Sequence, residues 1–204
     1  MRMITLHHED LPDDLDLGDM VAVDSEWMGL NMTRDRLCLV QLSSGDGNAH
    51  LVKFASTTYN APNLCRLLAD PKIKKLLHVA VGDMAVFQHR LGVVCRNVYC
   101  SKVASRLCRT FTDRHSLKDL VKEFAGVDLQ KVSQCSDWGA ETLTPAQLEY
   151  AASDVLYLHQ IYDGLNVMLD REGRREIAEN CFRFLPDRAA LHLLGWDTQD
   201  IFLY

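Results

Sequence analysis

The sequence predicts an α/β domain with a mixed central sheet, its first three strands antiparallel and helices flanking it. Three apolar, strand-like runs separated by short turn signals come first, strand then alternates with helix, and the chain beyond Cys100 is almost entirely helical. Met20–Asp24 reads as a buried strand and Leu37–Leu42 as a second. The turn cluster Ser43–Asn48 leads into a third strand at Ala49–Lys53. Consecutive strands joined by short turns form an antiparallel meander. The period then changes: Ala61–Ala69 is helical, Lys75–Val79 is a strand, and Asp83–Leu91 spaces Val86, Phe87 and Leu91 on one helical face. That order adds a parallel strand through a crossover helix. Later helix starts are signalled at Asp113 or His115-Ser116 and at Thr144-Pro145, where a capping residue precedes a proline.

No repeat or Pro/Gly/Ser-rich linker divides the 204 residues, so 1–204 is expected to be a single domain, with 164–204 a helical extension used in packing or oligomerisation. The apolar load of the tail, from Leu191 to Tyr204, must pack on this domain or on a neighbouring subunit, which suggests a homo-oligomer. No run is long enough to cross a membrane and the N-terminus lacks the order of a signal peptide, so a cytoplasmic location is expected. Seven scattered cysteines without a C-x-x-C pair argue against a disulfide framework and a zinc site. A formal charge of −6 is unfavourable for gripping long nucleic acid through many phosphates; any nucleic-acid substrate is expected to be short or end-bound.

Several acidic groups are candidates for chemistry. Asp24 and Glu26 end an apolar strand two residues apart, so both face one side. A strand end surfacing into solvent explains that pair equally well. Asp83 follows the parallel strand and reads alone as a helix N-cap, and His78 as a hydrogen-bonded core histidine. Tyr150 and Asp154 lie four apart on one helix, beside Ala151, Ala152 and Ser153, which permit close approach to the sheet. Jointly, four carboxylates from three segments describe a hard-cation site for Mg²⁺ or Mn²⁺, with room for two ions roughly 3.5–4 Å apart. Arg106, Arg109, Arg114 and Lys118 are phosphate candidates whose plainer reading is a solvated helix face.

At these residues the sequence resembles the DEDD exonucleases, in particular the tyrosine-bearing branch that includes ribonuclease D. Asp24-Ser25-Glu26 corresponds to the D-x-E motif, Asp83 to the second motif and Tyr150-Ala151-Ala152-Ser153-Asp154 to the Y-x-x-x-D motif, with Ser136-Asp137-Trp138 upstream. The match runs from about Val21 to Tyr162. Overall length, the 36–45 segment and the 195–202 segment are most similar to the small stand-alone bacterial nano-RNase C group. The resemblance implies a ribonuclease H-like fold and hydrolysis of short RNA, dinucleotides included, to nucleoside 5′-monophosphates from the 3′ end. It implies metal binding by Asp24, Glu26, Asp83 and Asp154, and a water oriented by Tyr150. Leu30 would wedge against the terminal bases, and Trp27, Met28 and His78 are further candidates to touch the terminal nucleotide. Alternatives are an exonuclease for longer structured RNA or for DNA, and a binding or assembly module without catalysis.

Overall fold

Strand β2 (Met20–Trp27) shows how the sequence builds the sheet: Val21, Ala22 and Val23 are fully buried, and polarity returns only at its C-terminal half. Every residue of β3 (Leu37–Ser43) is buried, as suits a strand covered on both faces. β2 pairs antiparallel with β3, and β3 with β4 (Ala49–Lys53). β5 (Lys74–Leu77) and β6 (Val98–Cys100) then add parallel strands beyond β2. The expected mixed sheet is present, with one addition. β1 (Ile4–His8) lies parallel to β4 at the far edge, so the antiparallel meander comprises the second to fourth strands, and the order is β1-β4-β3-β2-β5-β6.

This computed structural model describes residues 2–29, 31, 33–129, 136–196, 199, 201 and 203. Helix α1 (Pro62–Ala69) leads into β5. α2 (Val81–Val86) follows β5 and continues as a π-helical turn over Phe87–Leu91, closed by Gly92 in the left-handed region. α3 (Ser101–Cys108) follows β6 directly. α4 (Leu117–Ala125) starts at Ser116, whose hydroxyl accepts from the Asp119 amide, so of the two proposed starts the serine is used. α5 (Pro145–Leu156) begins with a capping box between Thr144 and Gln147. The chain bends at Tyr157 into α6 (Leu158–Arg171), and α7 (Arg175–Leu193) closes the set.

The larger core joins Val21, Val23, Leu37, Val40 and Val52 of the sheet to Ala85, Phe87, Leu120, Ile161 and Leu165 of the helices. A smaller core of Cys38, Leu39, Leu51, Trp138, Leu143 and Ala151 seats α5 on the sheet. Trp138 is only 1 % exposed, and truncating so large a buried ring typically costs about 3–5 kcal/mol. Gly45 fixes the other end of the arrangement: with φ +82° it turns the β3–β4 loop, and a Cβ there would lie 2.7 Å from the His159 ring.

The six described cysteines carry free thiols. No helix among the described residues is long and apolar enough to cross a membrane. At the C-terminus, Leu194, Trp196, Ile201 and Leu203 stand exposed, so these members of the apolar tail are not absorbed by the domain's own core.

Candidate active site

Asp24 is paired with Gln41 and Glu26 with Leu39, while Gln41 is paired in turn with Leu51. Directly opposed residues of an antiparallel ladder share a face. Leu39 and Leu51 belong to the small core under α5, so the Asp24 and Glu26 side chains are aimed at that helix. α5 answers with Tyr150 and Asp154 one turn apart, and its fully buried Ala151 and Ala152 let it lie close. Carboxylate oxygens of Asp24, Glu26 and Asp154 all fall within 4.8 Å of one another.

Asp83, expected as the fourth member, stands outside that triangle. It is the third residue of α2 rather than its cap, it is buried, and its Oδ1 accepts the Ser25 hydroxyl at 2.5 Å. Ser25 lies between Asp24 and Glu26 and points to the other face of the strand, where its Oγ also accepts from Trp27 Nε1 at 2.9 Å. Even so, Asp83 is close enough for its charge to act on each of the other three carboxylates.

The electrostatics follow from this crowding. Burial is the main cause in every case, since it penalises the charged form, and neighbouring acids add to it for Asp24, Glu26 and Asp154. Glu26 is pushed up to about 8, with Asp154 and Asp83 contributing. Asp24 is raised well above the usual carboxylate range by burial, then by Asp83, Asp154 and Glu26. Asp154 rises to about 7 through burial and Asp83. Asp83 also rises to about 7, its burial only partly offset by the hydrogen bond from Ser25. Four acids that resist ionising together are suited to hold divalent cations. An oxygen-only donor set without Cys or His fits Mg²⁺ or Mn²⁺.

The remaining sequence candidates divide. The Tyr150 ring lies 6.0 Å from Trp138, tilted by 36°. His78 follows the end of β5, its Nδ1 2.8 Å from Ser101 Oγ, and the Ser101 hydroxyl donates to Leu77 O at 3.2 Å. With its proton so used, Ser101 Oγ accepts from Nδ1–H and leaves His78 Nε2 as the open acceptor. Burial, then the Lys102 charge, pull His78 down to about 4, so the ring is neutral. Val79 beside it sits at φ +58°, a strained geometry for a β-branched residue at the turn into α2. Trp27 is half-buried, and Met28 is 49 % exposed with its sulfur against Gly139. Leu30 lies outside the described residues. Arg109 is no phosphate ligand: it is buried, pairs with Glu123 and donates to Ser105 Oγ and Arg114 O. Arg114 pairs with Asp119 at 2.8 Å, while Arg106 and Lys118 are exposed.

Sequence reasoning missed Ser25 as a support of Asp83, Ser101 as a support of His78, and Gln41. Gln41 is fully buried beside Asp24 in the register, and neither of its amide atoms has a partner among the described residues. An interior glutamine in an otherwise apolar strand was the available signal.

Comparison with known proteins agrees with the geometry. Residues 7–170 match the family model described as 3′-5′ exonuclease. Ribonuclease D of Acidiphilium cryptum is 35 % identical over 164 residues, which is 80 % of this chain and 41 % of that protein. The chain thus spans about two-fifths of the length of that ribonuclease D relative. Among solved structures, Brucella melitensis NrnC bound to pGG is 48 % identical with a TM-score of 0.96, covering 100 % of both chains. The same protein with bound Mg²⁺ is 48 % identical with a TM-score of 0.94, covering 99 % of each chain. The ribonuclease H-like exonuclease fold expected from the sequence is therefore the fold observed.

Proposed function

The chain belongs to the 3′-5′ exonuclease family, and from that premise we propose that it hydrolyses short RNA, dinucleotides included, from the free 3′ end to nucleoside 5′-monophosphates. The observation that carries this reading is the triangle of Asp24, Glu26 and Asp154 oxygens within 4.8 Å, with Asp83 close behind it. Support for short RNA comes from the pGG held by the Brucella protein and from the acidic balance of the chain, −6.

Asp24, Glu26 and Asp154 would hold Mg²⁺ or Mn²⁺, with Asp83 completing the shell of a second ion. Ions bound there supply an acidified water and positive charge for the departing 3′ oxygen. Tyr150, a turn from Asp154 on the same face of α5, would align the water by a hydrogen bond from its phenol, which need not ionise. The neutral His78, held through Ser101, would offer its Nε2 to a hydroxyl of the terminal nucleotide. Trp27, Met28 and Leu30 would contact the terminal bases.

A time course with Mn²⁺ on 5′-labelled RNAs of two to about twenty nucleotides tests the reading through relative cleavage efficiency. Mononucleotide release, highest for the dinucleotide and lowered about 10²-fold in Tyr150→Phe with Mn²⁺ affinity retained, is expected for a positioned general acid–base or water-aligning group. Preference for the longest RNA, or for deoxyribo-substrates, would refute the substrate assignment, and full activity in Tyr150→Phe would remove the role of the tyrosine.

A further inference from the structure

At the end of the sheet away from the carboxylates, β5, β6, α6 and α7 enclose a cavity of about 230 Å³. It lies at a distance from the acidic site that the strand register gives. Lys74, on its rim, is paired with Met20, four residues before Asp24 along parallel strands, and at about 3.3 Å per residue that is roughly 13 Å.

The lining is basic in a chain that is acidic overall. Lys74, Arg96, Arg175 and Arg183 face it against a single acid, Glu179. Arg175 is already paired with Asp170 and bonded to Asn166. The other three have no carboxylate partner among the described residues: Lys74 donates to Tyr162 Oη at 3.1 Å, Arg183 donates to the Asn180 amide oxygen, and Arg96 is exposed on the rim. Holding cations together without acids costs energy unless an anion joins them.

A second observation on the wall is independent of the charges. Tyr99 is 4 % exposed, packed edge-on against Tyr162 at 4.7 Å and tilted by 48° against Phe182 at 4.6 Å, and its hydroxyl has no hydrogen-bond partner among the described residues. Burial raises that phenol far above its ordinary range, so it is a fixed O–H donor. An unsatisfied buried donor is destabilising, and a ligand supplying an acceptor would relieve that cost. Tyr162, whose oxygen is occupied by Lys74, has its own proton to give.

We propose that this cavity is a binding site for a phosphate group, separate from the metal-binding carboxylates, with Arg96, Arg183 and Lys74 supplying charge and Tyr99 a hydrogen bond. Its volume is below the roughly 300 Å³ where sites for drug-sized ligands begin, so it admits a phosphate or the phosphate end of a monoester and not an oligonucleotide.

Calorimetric titration of the full chain, kept free of divalent ions with EDTA, tests this with inorganic phosphate as the probe. Without metal the carboxylate site repels phosphate, so binding reports the distal cavity. One phosphate per chain is expected. Arg96→Glu and Arg183→Glu should each weaken it about tenfold or more, and Tyr99→Phe, which keeps the ring packing, severalfold. A second titration with a nucleoside 5′-monophosphate distinguishes the sources of the group: affinity equal to that of phosphate assigns free phosphate, tighter affinity a monoester whose remainder reaches the rim. Absence of saturable binding of either, or undiminished binding in Arg96→Glu and Arg183→Glu variants that retain the wild-type melting temperature, overturns the proposal. Because cleavage is not read, the result is independent of whether the chain degrades RNA.

Discussion

The two ends of one set of strands carry opposite chemistry. Where β2 finishes and α5 crosses, Asp24, Glu26 and Asp154 share a space 4.8 Å across; where β5 and β6 begin, Lys74, Arg96 and Arg183 line one cavity with Tyr99. The strand middles are mostly apolar and buried, so charge gathers towards the ends, acidic groups predominating at one site and basic groups at the other. The acidic end differs in how its members are fixed. Its carboxylates sit on a strand and a helix braced by a small core, whereas the basic end has longer side chains on a loop, a strand start and a helix face. Rigid elements suit a site where positions set the chemistry, and flexible cations suit one that need only attract an anion.

The sharpest way to break the comparison is to neutralise one end alone. Asp24→Asn should lower metal-dependent cleavage by about 10³-fold or more, equivalent to roughly 4 kcal/mol of transition-state stabilisation. The same substitution should raise the melting temperature of the metal-free protein at alkaline pH, because an amide cannot ionise beside three other carboxyls. Cleavage within severalfold of wild type would show that the triangle is not the reacting centre.

A smaller effect is expected from pH. A raised folded-state value means that the folded protein binds protons the unfolded chain has released, so stability falls as pH rises through that interval. For Glu26 the interval runs from its ordinary 4.5 to about 8. Each such group contributes at most about 1.4 kcal/mol per pH unit there, and less where water screens it. Denaturation midpoints in EDTA should therefore decline between pH 5 and pH 8 (roughly the interval in which these carboxyls ionise), and Mn²⁺ should recover more stability at pH 8 than at pH 5. A metal effect independent of pH would contradict the crowding.

The smallest effect sharpens the role of Asp83. Ser25→Ala removes the hydroxyl that Asp83 accepts and that Trp27 donates to. A buried group left without its partner costs about 1–3 kcal/mol, to be read in urea denaturation of the metal-free protein. If Mn²⁺ restores most of that loss, the ion and Ser25 compete for the same carboxylate; an equal loss with and without Mn²⁺ would make Ser25 purely structural.

Much of this was legible in the linear order. The three apolar runs and their turn clusters specify the meander because strand burial demands consecutive apolar residues, and Thr144-Pro145 marks the start of α5 because capping is local. The spacing of Asp24 with Glu26 and of Tyr150 with Asp154 gives each pair a common face for the same reason. β1 escaped notice, although Ile4 and Leu6 alternate and both pack on the small core, because His7 and His8 break a run of only five residues.

Periodicity is a property of neighbours in sequence, and it determined which side chains travel together on each element. Only tertiary packing decided how the elements meet: that Asp83 is drawn to Ser25 behind the strand, that Arg109 is consumed by Glu123, and that Tyr99 faces a basic cavity. Those outcomes depend on residues 14 to more than 80 positions apart competing for the same few hydrogen bonds and charges. That competition is settled by three-dimensional burial, which no local pattern encodes.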